Sequence, residues 1–164
     1  MSSRKLDDLY EPLKVVAEKS LIEAGNRGLT VIITCTARKP QEQLALYAQG
    51  RESLESVNIK RNACGLYLLG SEENSRQVTC VTKSYHTVIP KAMAFDFAIG
   101  INGKIDWDIK ANYNKNDIPD YKEFAEICKS MDSNIEWGGD WEGWQDVPHI
   151  QWKNGMTVKQ SDTD

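Results

Sequence analysis

From Leu6 to Ala24 apolar residues recur at helical spacing: Leu6, Leu9, Leu13, Val16, Ala17 and Ile22. Gly25 and Gly28 follow as stop signals, so the pattern predicts an amphipathic helix. "LTVIITCTA" (29–37) is short, β-branched and apolar, which predicts a buried strand. "PQEQLALYAQG" opens with Pro40 and stops at Gly50, a compact helix. Residues 51–78 are the least patterned and read as a long connection that is functional or mobile. Asn102-Gly103 between two β-like runs predicts a hairpin. "PDYKEFAEICKSM" predicts a helix with Phe124, Ile127 and Cys128 on one face. The chain closes with "IEWGGDWEGWQDVPHIQWKNG", rich in tryptophan and glycine, and a polar tail expected to fray. Neither repeat nor linker interrupts this order, so it predicts one α+β domain over 1–164 with its core at roughly 5–155.

The run "KAMAFDFA" carries more than a strand signal. By its period of two, Met93, Phe95, Phe97 and Ile99 share one face, and Ala92, Ala94, Asp96 and Ala98 the other. The first is a core face. The second, three alanines around one carboxylate, suits a cleft floor from which Asp96 can bind something. In "DVPHIQW", a strand from Val147 to Trp152 puts His149 and Gln151 on one face. The chain's other histidine, His86, lies just before the Asp96 strand. Two imidazoles and a carboxylate form a standard ligand set for catalytic zinc with a fourth position left for water. Asp146, three residues before His149, can fold over the open side through a turn at Val147-Pro148. There it can take a proton from zinc-bound water and return it to a leaving amine, the logic of metal-assisted amide hydrolysis.

Other arrangements explain less. HExxH does not occur, and a Ser84/His86/Asp triad lacks a GxSxG elbow and leaves His149 without a role. A Cys80/His pair has the same weakness. In 112–123, Asp117 stands where a calcium loop needs glycine and Pro119 breaks the loop, so an EF-hand is rejected.

Bulk properties narrow the class further. The 164 residues suffice for one domain with a real core. A net charge of −4 without a dense basic run excludes nucleic acid as the main partner. No apolar stretch is long enough to span a membrane, and "MSSRKLDDLY" has no apolar core of a secretory signal. The expectation is a protein made in a cytoplasm. Cys35, Cys64, Cys80 and Cys128 form no CxxC pair and read as reduced thiols, some of them buried. Cys64 and Cys80 flank one polar stretch that a bridge would close.

Taken together, "TARKPQEQLALYAQGR", "SYHTVIPKAMAFDF", "EWGGDW" and "DVPHIQW" resemble the zinc peptidases of the D-alanyl-D-alanine carboxypeptidase and L-alanyl-D-glutamate endopeptidase family, which includes many phage endolysins. The resemblance covers roughly residues 30–152. It implies a small, mainly antiparallel sheet flanked by helices, one zinc ion per chain, and a peptidoglycan stem peptide as substrate. His86, Asp96 and His149 match the zinc ligands and Asp146 the catalytic acid/base. Arg38 matches an arginine near the site, suited to an oxyanion or a substrate carboxylate. Ser84 matches the motif serine, an orienter of loop or substrate, and Trp141 and Gln151 are candidates for substrate contact. The implied protein is an L-alanyl-D-glutamate endopeptidase, a phage or prophage endolysin that acts on the wall after release, and a monomer is expected. The alternatives are a D-alanyl-D-alanine carboxypeptidase or dipeptidase, and a non-catalytic zinc-stabilised wall-binding module. Two departures stand out. The His86–Asp96 spacing is stretched by "VIPK" (88–91), and the connection at 52–77 is long.

Overall fold

The order of elements follows from which residues must leave water. The structure, a computed structural model, describes residues 1–160; the last four residues of the polar tail, 161–164, lie outside the described residues. Helix α1 spans Glu11–Asn26, strand β1 Val31–Cys35, α2 Pro40–Ala48 and α3 Leu54–Ala63. Strands β2 (Ala94–Ile101) and β3 (Lys104–Asp106) precede α4 (Asp120–Met131), and β4 (Ile135–Trp137) and β5 (His149–Trp152) finish the fold. Every strand pair is antiparallel, in the order β1-β2-β5-β4 with β3 paired to β2. The α+β architecture with a small antiparallel sheet is as the sequence predicts.

One face of β2 makes the core. Met93, Phe95 and Phe97 are fully buried, and Phe97 packs on Phe124 with ring centroids 4.7 Å apart. Helices α1 and α4 cover this face with Leu13, Val16 and Ala17 and with Tyr121, Phe124 and Ile127. Fully burying each such side chain stabilises by about 1.5–3 kcal/mol. The β2–β3 hairpin turns at Asn102 (φ 49°) and Gly103 (φ 74°), the left-handed pair a two-residue turn of this type requires.

Three expectations change. The first helix begins at Glu11 rather than Leu6, and Leu6–Asp8 is a separate 3₁₀ turn. Pro12 cannot continue a helix arriving from its N-terminal side. Ile22 is exposed, because it stands about 140° round the helix from Ala17; the buried stripe runs on through Ser20 and Ala24. Second, 51–78 is not all irregular. It holds α3, capped by the Ser53 hydroxyl accepting from Ser56 N–H, and Ala48, Val57 and Leu69 make a small second core beneath it. Third, the tail is ordered up to Gln160. Its side chain both donates to Lys91 O and accepts from Lys91 N, and Val158 packs on the core.

Candidate active site

Strand register assembles the site. Asp96 lies opposite Cys35 on β1 and opposite His149 on β5, so one row across three strands carries a thiol, a carboxylate and an imidazole. The next row pairs Gln151 with Ala94 on one side and Glu136 on the other. The alanine face is covered as well as the aromatic one, since Ala94 and Ala98 are fully buried, and Asp96 alone keeps an exposed edge. His86 arrives from a 3₁₀ turn, Tyr85–Thr87, capped by Ser84, whose Oγ accepts from His86 N–H at 3.2 Å. Its backbone carbonyl also accepts from Arg38 N–H, tying the turn to the segment that follows β1.

Both imidazoles turn toward one oxygen. His86 Nε2 lies 3.1 Å and His149 Nδ1 2.9 Å from Asp96 Oδ1. Their outer nitrogens face acceptors: His86 Nδ1 is 2.7 Å from Thr36 O, and His149 Nε2 is 3.0 Å from Gln151 Oε1. Each outer nitrogen must therefore carry the proton, which leaves each inner nitrogen with a lone pair. Two lone pairs and a carboxylate directed at the same point repel one another unless a positive charge lies among them. The donor set fits a zinc ion, which takes imidazole and carboxylate. Without a metal, protons must serve. Burial opposes charge on His86, but Asp96 beside it raises its pKa to about 10. Burial likewise opposes charge on Asp96, yet His86 and His149 hold its carboxyl well below the usual range.

The surroundings are a cavity of about 490 Å³. Arg38, Lys83, Trp141, Trp144 and Asp146 line it together with His86, Asp96 and His149. Asp146 reaches it through the expected turn, with its carbonyl accepting from His149 N–H at 3.1 Å and its N–H donating to Gly138 O at 3.0 Å. Burial raises the Asp146 pKa and the nearby Asp96 adds to this, against the pull of His149, His86 and Arg38. Trp141 lies against His149, ring centroids 5.3 Å apart. Trp137 is packing: it is buried and its Nε1–H donates to Val147 O.

Arg38 sits 3.8 Å from Asp96 Oδ2 and donates to Gln43 Oε1 at 2.8 Å. Gln43 is fully buried and in turn donates to Val81 O at 2.8 Å, so it fixes Arg38 to the segment 78–81 that walls the cavity. Sequence reasoning missed Gln43, although its polar side chain on the inward face of a short helix was a usable signal. It also missed Cys35. Among the described residues, Cys35, His86 and Asp96 offer donor atoms within 4.8 Å of one another, a group able to hold a metal. Cys35 Sγ, however, lies 3.7 Å from His86 Nδ1, the nitrogen already committed to Thr36 O. Burial raises the thiol pKa, but His86 and Arg38 outweigh it and lower the net value. All four cysteines are free, and the possible Cys64–Cys80 bridge is absent.

Known proteins are similar to this chain in sequence and in fold. Residues 81–152 match the family model described as D-alanyl-D-alanine carboxypeptidase. The chain is 34% identical over 145 residues to the peptidoglycan L-alanyl-D-glutamate endopeptidase CwlK of Bacillus subtilis (strain 168), covering 88% of this chain and 73% of that one. It is 28% identical over 150 residues to the L-alanyl-D-glutamate peptidase of Listeria phage A118, covering 92% of this chain but only 40% of the phage protein. The fold matches the L-Ala D-Glu endopeptidase ChiX of Serratia marcescens with a TM-score of 0.58 and 16% identity, over 93% of this chain and 89% of that one.

Proposed function

The chain belongs to the family of D-alanyl-D-alanine carboxypeptidases and L-alanyl-D-glutamate endopeptidases, and on that premise we propose that it is a zinc peptidase cutting the L-alanyl-D-glutamate bond of peptidoglycan stem peptides. The observation that carries the reading is the meeting of two imidazole lone pairs on Asp96 Oδ1 within an open cavity. His86 through Nε2, Asp96 through Oδ1 and His149 through Nδ1 would hold the metal. Cys35 would stay behind the His86 ring, because it faces the wrong nitrogen. Zinc supplies a Lewis acid for the scissile carbonyl and lets water act as nucleophile near neutral pH.

The remaining chemistry falls to the chain. Asp146 takes the proton from the attacking water and passes it to the leaving amine nitrogen, so the amide leaves as a free amine. Its raised pKa suits both halves of that task, since a base of higher pKa holds the proton better and the acid form is available to give it back. The Arg38 guanidinium, held by Gln43, donates to the oxygen that gains charge as the carbonyl carbon becomes tetrahedral. Lys83 adds a second cation to the cavity, which suits an acidic stem peptide. Ser84 orients the His86 turn by accepting from His86 N–H, and its own O–H remains available to a substrate group from the cavity it lines. Trp141 offers a flat wall beside His149.

The proposal extends to a single peptidase domain over 1–164, acting as a monomer on the wall after release from a cytoplasm. Support for the wall as the place of action is the phage relative, of which the chain spans 40%. The test is digestion of purified peptidoglycan followed by mass spectrometry, with zinc-loaded and chelator-treated protein side by side. Zinc-dependent appearance of stem peptides with a new N-terminal D-glutamate is the expected product. Loss of only a terminal D-alanine would make the protein a carboxypeptidase instead, and intact peptides with zinc bound would point to a binding module.

A further inference from the structure

Behind His149 runs a polar chain that the proposed reaction does not use. His149 Nε2 faces Gln151 Oε1 at 3.0 Å, and Gln151 Nε2 donates to Glu136 Oε2 at 2.9 Å. Register builds this chain: Glu136 on β4 is the partner of Gln151 on β5, and His149 is two residues along the same strand face. Gln151 and His149 are both buried.

The chain has a direction. A glutamine side chain can present either its oxygen or its nitrogen with almost no change of shape, so Gln151 alone does not choose what His149 meets. A carboxylate can only accept. Glu136 therefore draws the Gln151 amide nitrogen to itself and leaves Oε1 for His149. Facing an oxygen, His149 Nε2 must carry its proton, and Nδ1 keeps the lone pair directed at Asp96 Oδ1. With the amide reversed, its N–H groups would confront Nε2, the proton would move to Nδ1, and that nitrogen could no longer bind a metal.

We infer that Glu136 is a positioning residue: through Gln151 it sets the tautomer of His149 in which Nδ1 is free to ligate the metal. This rests on the reading of His86, Asp96 and His149 as ligands. It assigns Gln151 to the support of His149 rather than to substrate contact.

The test is zinc affinity, measured by competition with a chromogenic chelator on purified full-length protein, independent of catalysis. Glu136→Gln keeps the size but allows Gln151 to reverse, and is expected to weaken zinc binding by about 10- to 100-fold. The double exchange Glu136→Gln with Gln151→Glu restores the direction, because the new glutamine donates to the new glutamate and that carboxylate accepts from His149. It is expected to recover affinity to within a few-fold of the unaltered protein. A purely structural role for Glu136 would give no such rescue, since the double variant carries one more change. Undiminished affinity in Glu136→Gln, or a double variant as weak as the single one, overturns the inference. The unaltered protein in the same titration tests the ligand assignment separately: if it binds no zinc, that reading fails at its root.

Discussion

Asp96 and His149 stand opposite each other in the β2–β5 ladder, with Asp96 Oδ1 2.9 Å from His149 Nδ1. Pairing in register means that backbone hydrogen bonds of the sheet, not flexible loops, set this distance. Only His86 comes from a turn, and its backbone is bonded both to Ser84 and to the segment that follows β1. The proposed ligand set is thus preorganised, which would lower the ordering cost of binding a metal.

Asp146 lines the cavity but does not belong to the converging trio. Asp146→Asn should therefore retain zinc while lowering kcat by about 10²- to 10⁴-fold, the usual weight of a general acid/base. Metal content and turnover measured on the same sample separate the two effects. Full activity in the variant would remove Asp146 from the mechanism.

Protons would compete with the proposed metal at this site. Because the pKa of His86 is raised to about 10, the metal-free imidazole is charged at neutral pH and must lose a proton before it can ligate. The sign follows: raising the pH toward 10 makes that loss easier, so apparent zinc affinity should climb, by about tenfold per pH unit for one displaced proton. Chelator competition at a series of pH values reads this slope. A flat profile across the neutral range would show that His86 is not the protonated partner of Asp96.

Gln43 bonds to none of the three proposed metal ligands, yet it orients Arg38 and anchors the wall segment at Val81. Gln43→Leu should lower kcat/KM by about 10- to 100-fold, somewhat less than outright loss of a donor to the developing oxyanion. Zinc affinity should not change. A variant that loses zinc and activity together would mean that Gln43 supports the whole site rather than Arg38.

Gly138 packs directly under the Asp146 turn: a Cβ there would lie 2.2 Å from Asp146 O. Gly138→Ala must push that turn away and should destabilise the fold by about 1–3 kcal/mol, as overpacking commonly does. Denaturant unfolding measures this, and turnover should fall with it because Asp146 is displaced. An unchanged midpoint would show that the turn has room to shift.

The period-two pattern of β2 made its aromatic core face legible and marked Asp96 as the one polar residue opposite, although Ala94 and Ala98 beside it are covered rather than forming a cleft floor. The same period placed His149 and Gln151 together, and Asn102-Gly103 announced its hairpin. What could not be read is what depends on register between distant strands. Cys35 and Glu136 reach the site only because β1 and β4 pair where they do. Helix α3 was hidden because Ile59, at an apolar position in its sequence, is exposed, and only Val57 and Arg61 are buried along its length. Gln151 drew notice as a residue that could touch substrate. Its partners on both sides, His149 and Glu136, were visible only in three dimensions.

Metal content of the purified protein decides whether the converging trio holds zinc. After dialysis against zinc and removal of the excess, elemental analysis should find about one zinc per chain, and His149→Ala should abolish it, since three protein ligands with an open position define a catalytic zinc site. A protein that stays folded and carries no zinc, or one that keeps its full complement in His149→Ala, would mean that His86, Asp96 and His149 do not form a zinc site.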